Sequence, residues 1–199
     1  MAIIGLKNLH YAVMNTEDTA TTPAVYGKPR RLVGIRSVDV APENETAKLY
    51  GDNTALATFT ATKSRAITLE VADLPLEDEA ILLGHKYDSD TAVMTVSGND
   101  VAPYVAIMFD ADTHDGKTMY TTFFKGKFAE AQHTDNTRGE SMEFTPFNLE
   151  GEFVARTNDD QVYAKKVSTD PTVAASWYES VYSSSQGGGE TPSGGNNNP

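Results

Sequence analysis

The chain contains no cysteine. That one absence removes disulfides, thiolate nucleophiles and cysteine-ligated metals together, and suits a protein folded in a reducing cytoplasm. Tryptophan occurs once, and the four histidines, His10, His85, His114 and His133, fall on separate segments. No two are three or four residues apart, the spacing that brings two imidazoles to one metal. Long apolar runs are lacking too. Nothing approaches the roughly 20 residues needed to cross a bilayer, and Met1 to Met14 mixes Lys7, Asn8 and His10 among its apolar residues. Neither a signal peptide nor a membrane anchor is expected. Basic residues are scarce, 16 against 28 acidic, for a net charge of -12. A duplex-coating or sequence-reading role is excluded by phosphate repulsion, whereas a surface past which DNA slides without sticking is compatible with that charge. Acidity also simply keeps a protein soluble.

Catalytic patterns are missing as well. Gly27-Lys28 and Gly126-Lys127 lack the glycine spacing and following Ser or Thr of a phosphate-binding loop, and there is no Gly-x-Ser-x-Gly elbow. Asp110-Ala111-Asp112-Thr113-His114-Asp115-Gly116 alternates carboxylates, but its fifth position is histidine and its glycine comes at the seventh, so it departs from a calcium loop. It is expected to be a polar hairpin turn centred on Asp115-Gly116. Carboxylate pairs such as Glu43 and Glu45, or Glu150 and Glu152, suit glycoside hydrolysis in principle, yet an acidic chain offers them by chance as solvated faces. No catalytic residue, cofactor or metal site is expected, and the protein is not expected to be an enzyme.

What the chain has is strand. Hydrophobic residues make up 39% and charged residues 22% of its 199 positions, ordinary usage for one folded domain. Strands are expected at Leu9–Met14, Leu32–Val40, Ala55–Ala61, Ala66–Val71, Ala92–Val96, Tyr104–Asp110, Met119–Ala129, Phe147–Arg156 and Val162–Val167. Ile67, Leu69 and Val71 alternate with Ala66, Thr68 and Glu70, the period of a sheet with one buried face. A short helix is expected from Pro75, with Glu77, Asp78 and Glu79 in its first turn, to Gly84. A second is expected after an Asp170 cap and Pro171, with Val173, Trp177 and Val181 on its apolar face. Two long polar connections, Asn15–Arg31 and Gln132–Ser141, read as loops or as arms for reaching neighbours. Ser183–Pro199 has no large apolar residue and is expected to be a flexible tail after a domain of residues 1–182. The predicted fold class is mainly β, an antiparallel β-sandwich or partial barrel with one or two flanking helices.

Several segments, in order, resemble the major tail proteins of long-tailed, non-contractile phages of Gram-positive bacteria. They are Gly5-Leu6-Lys7-Asn8-Leu9-His10-Tyr11-Ala12, Ala72-Asp73-Leu74-Pro75-Leu76-Glu77, Leu82-Leu83-Gly84-His85, Asp100 to Ala106, Tyr120 to Phe128 with Phe124-Lys125-Gly126-Lys127-Phe128, and Thr145 to Arg156. The resemblance covers about residues 1–182 and none of its motifs is catalytic. It implies a tail-tube fold, similar to the tubes of type VI secretion, that assembles as stacked hexameric rings forming the conduit for DNA ejection. Its implied partners are other copies of itself, a tape-measure protein and other tail proteins, with DNA passing unbound and no membrane involved. The implied location is the virion tail, after synthesis in the host cytoplasm. The candidate subunit-interface residues are Leu9, Tyr11, Tyr26, Arg30, Arg31, Tyr50, His133 and Arg138. A ligand- or carbohydrate-binding β-sandwich is the alternative, but such modules usually present exposed aromatics and work outside the cell. The lone tryptophan here falls in the expected C-terminal helix.

Overall fold

The structure, a computed structural model, describes residues 2–51, 54–130 and 146–183. The chain opens with β1 (Ile3–Thr16), then the two-residue strands β2 (Val25–Tyr26) and β3 (Arg30–Arg31). The long strands β4 (Ile35–Gly51) and β5 (Thr54–Val71) follow, then α1 (Leu76–Leu83) and the small ribbon of β6 (Lys86–Asp88) and β7 (Val93–Thr95). The body is completed by β8 (Val105–Thr113), β9 (Thr118–Ala129), β10 (Phe147–Val154), β11 (Tyr163–Ser168) and α2 (Thr172–Trp177).

Among the described residues, nine strands form one sheet in the order β2-β1-β8-β9-β10-β5-β4, with β3 added to β1 and β11 to β9. Every pairing is antiparallel. One edge of β9 is taken by β8. The other is shared, β11 pairing Thr118–Phe123 and β10 pairing Lys125–Ala129. Gly126 stands at this division because the Phe153 ring occupies the space a Cβ would need. The sheet curls until β1 packs against β4, giving an open, partial barrel.

Alternation decides which residues fill it. From β8, Val105, Ile107 and Phe109 point into the main core with Leu9, Leu69, Phe123 and Phe153, while Ala106 and Met108 join Phe124, Ala12 and Val181 on the opposite face. β8 and β9 are therefore covered on both sides, which explains their nearly unbroken burial. The α1 residues Leu82 and Leu83 close the main core. Gly84 ends that helix with φ of 77°, left-handed as a C-terminal glycine should be.

The helix expected from Pro75 to Gly84 and the turn at Asp115-Gly116 are found where the residues placed them, with Thr113 Oγ1 donating to Asp115 Oδ1 at 2.5 Å in that turn. Among the differences in element bounds, four have a clear physical reading. Ala55–Ala61 and Ala66–Val71 are parts of one strand, and β4 runs through Ala41–Tyr50, where no strand was expected. That stretch contains Pro42 and is exposed throughout its described part, so no buried face imprinted an alternation on it. The Asn15–Arg31 connection folds back along β1 as β2 and β3. The C-terminal helix stops at Trp177, although the Asp170 carboxylate caps it by accepting from Thr172 N–H at 2.9 Å, and Val181 reaches the core from beyond the helix end. The expected loop Gln132–Ser141 and the tail beyond Ser183 lie outside the described residues.

Candidate assembly surfaces

Beyond the barrel, the β4–β5 hairpin continues as a two-stranded arm. Its register pairs Asn44 with Thr62, Thr46 with Thr60 and Lys48 with Thr58 on one face. On the other face Glu45 pairs with Ala61, Ala47 with Phe59 and Leu49 with Ala57. Side-chain bonds confirm the separation. Thr62 donates to Asn44 Oδ1 at 2.7 Å and Thr46 meets Thr60 at 3.2 Å on the first face, while Lys63 pairs with Glu45 at 2.5 Å on the second. The arm is thus a ribbon with one threonine-rich face and one apolar face. The apolar face is uncovered, Leu49 being 64% and Phe59 71% exposed. Such a ribbon is not self-sustaining in water, because two strands alone bury too little.

Sheet edges are open as well. Among the described residues β4 has one hydrogen-bonded neighbour, β5, and β11 has one, β9. Unpaired strand edges are templates for pairing with another chain.

The sequence-derived interface residues divide sharply. Leu9 and Tyr11 are 0% and 1% exposed, and the Tyr11 hydroxyl donates to Asp78 Oδ1 at 2.6 Å. Both belong to the protomer's own core and have no surface to offer a neighbour; alternation along β1 turns them inward. Tyr26 is half-buried, donating its hydroxyl to the Phe124 carbonyl at 2.9 Å. Burial pushes that phenol up to about 12. Arg30 and Arg31 are exposed at the β1 edge, Arg30 bridging Glu77 at 2.9 Å and Asp78 at 3.0 Å, and Arg31 donating to Asn8 Oδ1 at 3.3 Å. Tyr50 pairs through its backbone with Ala55 near the arm's end. His133 and Arg138 lie outside the described residues. The arm's Ala47, Leu49 and Phe59 were missed by sequence reasoning. An apolar residue among polar ones was visible, but only the register shows that three of them share a face.

The connection over residues 17–29 is held down by a buried ion pair. Lys125 on β9 donates to Asp18 Oδ1 at 2.6 Å, and Asp18 Oδ2 also accepts from the backbone N–H groups of Thr157 and Asn158. Burial alone would raise the Asp18 carboxyl, but the Lys125 hydrogen bond and these amides outweigh it and hold it below the usual carboxylate range. Beside it, Arg156 makes a fork with Asp159, 3.0 and 2.6 Å, and covers the Phe124 ring at 3.9 Å. Lys127 sits over the Tyr104 ring at 4.3 Å.

At the other end of the same face, His10 stacks on Tyr178 with ring centroids 4.1 Å apart and its Nδ1 lies 2.8 Å from the Asn8 carbonyl. Tyr178 donates its hydroxyl to buried Asp110 at 2.8 Å. Burial lowers the His10 pKa, assisted by Arg31 and opposed by the Asn8 carbonyl and Asp110. The folded state then binds fewer protons than the unfolded chain below about pH 6.5, so stability is full above that value and declines as pH falls toward the lower folded pKa. His10→Phe, which keeps the stack, should flatten this part of a melting-temperature profile between about pH 8 and 5. An unchanged slope in the variant would refute the assignment.

Among the described residues no group of three or more His, Asp or Glu side chains is placed to hold a metal ion; what these surfaces offer is area, edges and an arm. No curated protein matches the sequence. The family model described as phage tail tube protein, however, matches residues 1–172, a span that includes the arm, both open edges and the buried ion pair. The chain belongs to the phage tail tube protein family, a structural family of the virion tail.

Proposed function

We propose that the protein polymerises as stacked hexameric rings into the tube of a long, non-contractile phage tail, and that DNA passes through this tube into the host. The observation that carries the proposal is the exposed apolar face of the β4–β5 arm together with two sheet edges that no strand among the described residues pairs. A monomer gains nothing from either feature, whereas ring closure covers edges and stacking covers an arm. Tape-measure and other tail proteins are the natural further partners, and assembly takes place in the host cytoplasm, as the absence of cysteine suits.

The charge of -12 fits a conduit for a polyanion, since a like-charged wall provides no attractive well in which DNA stalls. Lys125 is buried against Asp18, so it does not add to the charge of either wall. Electron microscopy of the concentrated full chain should show rings or tubes with an acidic lumen. A protein that remains monomeric at every concentration, or a tube whose lumen is positive, would sink the proposal.

A further inference from the structure

The open end of the barrel holds an apolar groove of about 370 Å³. Phe109 and Phe123 form its floor, and Ile3, Val40 and Tyr163 stand at its rim, 55%, 40% and 41% exposed. Thr121, also in its wall, carries a buried hydroxyl with no hydrogen-bond partner among the described residues. Arg65 and Lys165 frame the groove, both placed over the Tyr163 ring, at 5.1 and 5.3 Å, with no carboxylate partner among the described residues. An apolar slot with a basic rim fits an apolar segment carried by an acidic molecule.

This chain is such a molecule, and its arm is such a segment. The arm cannot fill its own groove. Val40 and Pro42 line the groove at the arm's base, and Leu49 lies seven residues beyond Pro42 along the same strand. At about 3.3 Å per residue that is roughly 23 Å, and a paired ribbon does not double back on itself. Phe59, six residues from groove-lining Arg65 on the partner strand, is displaced in the same direction. The arm of another molecule is under no such restraint.

We propose that the apolar face of the arm, Ala47, Leu49, Ala57 and Phe59, seats in the Phe109–Phe123–Tyr163 groove of a second copy of this chain. The contact rests on the self-assembly reading above and adds to it which face of the arm is buried and against what. Because arm and groove are different surfaces, the interface is heterologous, and each copy gives its arm to one neighbour and receives an arm from another. The threonine-rich face remains turned to water.

The absence of cysteine provides a clean test. Phe59→Cys and Tyr163→Cys proteins, each made as the full chain, are mixed under conditions that give assemblies by sedimentation and then oxidised. A disulfide-linked heterodimer is expected in about tenfold greater yield than from Thr60→Cys with Tyr163→Cys, because Thr60 lies on the opposite face and only juxtaposed thiols gain a high effective concentration. Val40→Cys in place of Tyr163→Cys should give the same preference. Assemblies that form with no such preference overturn the arm-in-groove contact while leaving the tube proposal standing. Phe59→Cys linking chiefly to itself would show arms packed on arms and also overturn it. Failure of the unsubstituted chain to assemble at all would overturn both.

Discussion

Lys125→Met should destabilise the protomer by about 3–5 kcal/mol, the cost of leaving a buried carboxylate without its cation. The Asp18 side chain is 0% and that of Lys125 8% exposed, so water cannot replace the lost partner. The effect should appear in urea denaturation as a lower midpoint with an unchanged slope. Asp18→Asn combined with Lys125→Met should recover much of the loss, because the amide still accepts from the Thr157 and Asn158 N–H groups and no charge remains buried. A Lys125→Met protein as stable as the parent would mean that the pair is solvated. The pH dependence offers a second check with a definite sign. Because the folded Asp18 pKa lies below its ordinary value of 3.8, its contribution is present above that value and is lost as pH falls through the folded pKa. Asp18→Asn should remove that part of the acid transition.

Trp177→Ala should cost about 3–5 kcal/mol, and it should do so in the isolated protomer. Trp177 is 8% exposed, stacked on Tyr182 with centroids 5.7 Å apart and tilted against Tyr120 at 5.8 Å. This aromatic cluster fastens the C-terminal segment to β9. An apolar helical face suits either core or a surface covered on assembly, and the burial of Trp177 within one chain decides for core. Trp177→Phe should cost less than the alanine change, since the buried indole Nε1 has no hydrogen-bond partner among the described residues and the phenyl ring retains much of the contact. Denaturation of monomer alone is the measurement. A variant with normal monomer stability but poor assembly would transfer the cluster to an interface.

Much of the architecture could be read residue by residue. Pro75, three acids and Gly84 delimit α1 because each addresses a local backbone need: an entry residue of fixed φ just before the first turn, negative charge at the positive end of the helix, and a left-handed stop. Asp115-Gly116 marks the β8–β9 turn for the same kind of reason, Gly116 having φ of 74°. Ile67, Leu69 and Val71 declared a strand with one buried face, and all three are buried.

The candidate site was far less legible. Leu9 and Tyr11 were credible as interface residues because a period of two announces two faces without saying which is already covered by the protomer. Asp18 and Lys125 were ordinary charges in the sequence, and 107 positions separate the two ends of their ion pair. The amino-acid sequence by itself determined what depends on neighbours along the chain: strand-rich composition, helix caps, turns, net acidity, freedom from thiol chemistry and the ordered segments that mark the family. Tertiary structure alone decided what depends on register and curvature: the length of β4 and β5, the gathering of Leu49 and Phe59 on one uncovered face, and the groove between strands distant in sequence. The reason is physical. Local preferences are set within a few residues by backbone sterics and hydrogen bonding. The partner of an exposed strand is chosen by the summed packing of a whole sheet, and no short stretch of sequence contains that sum.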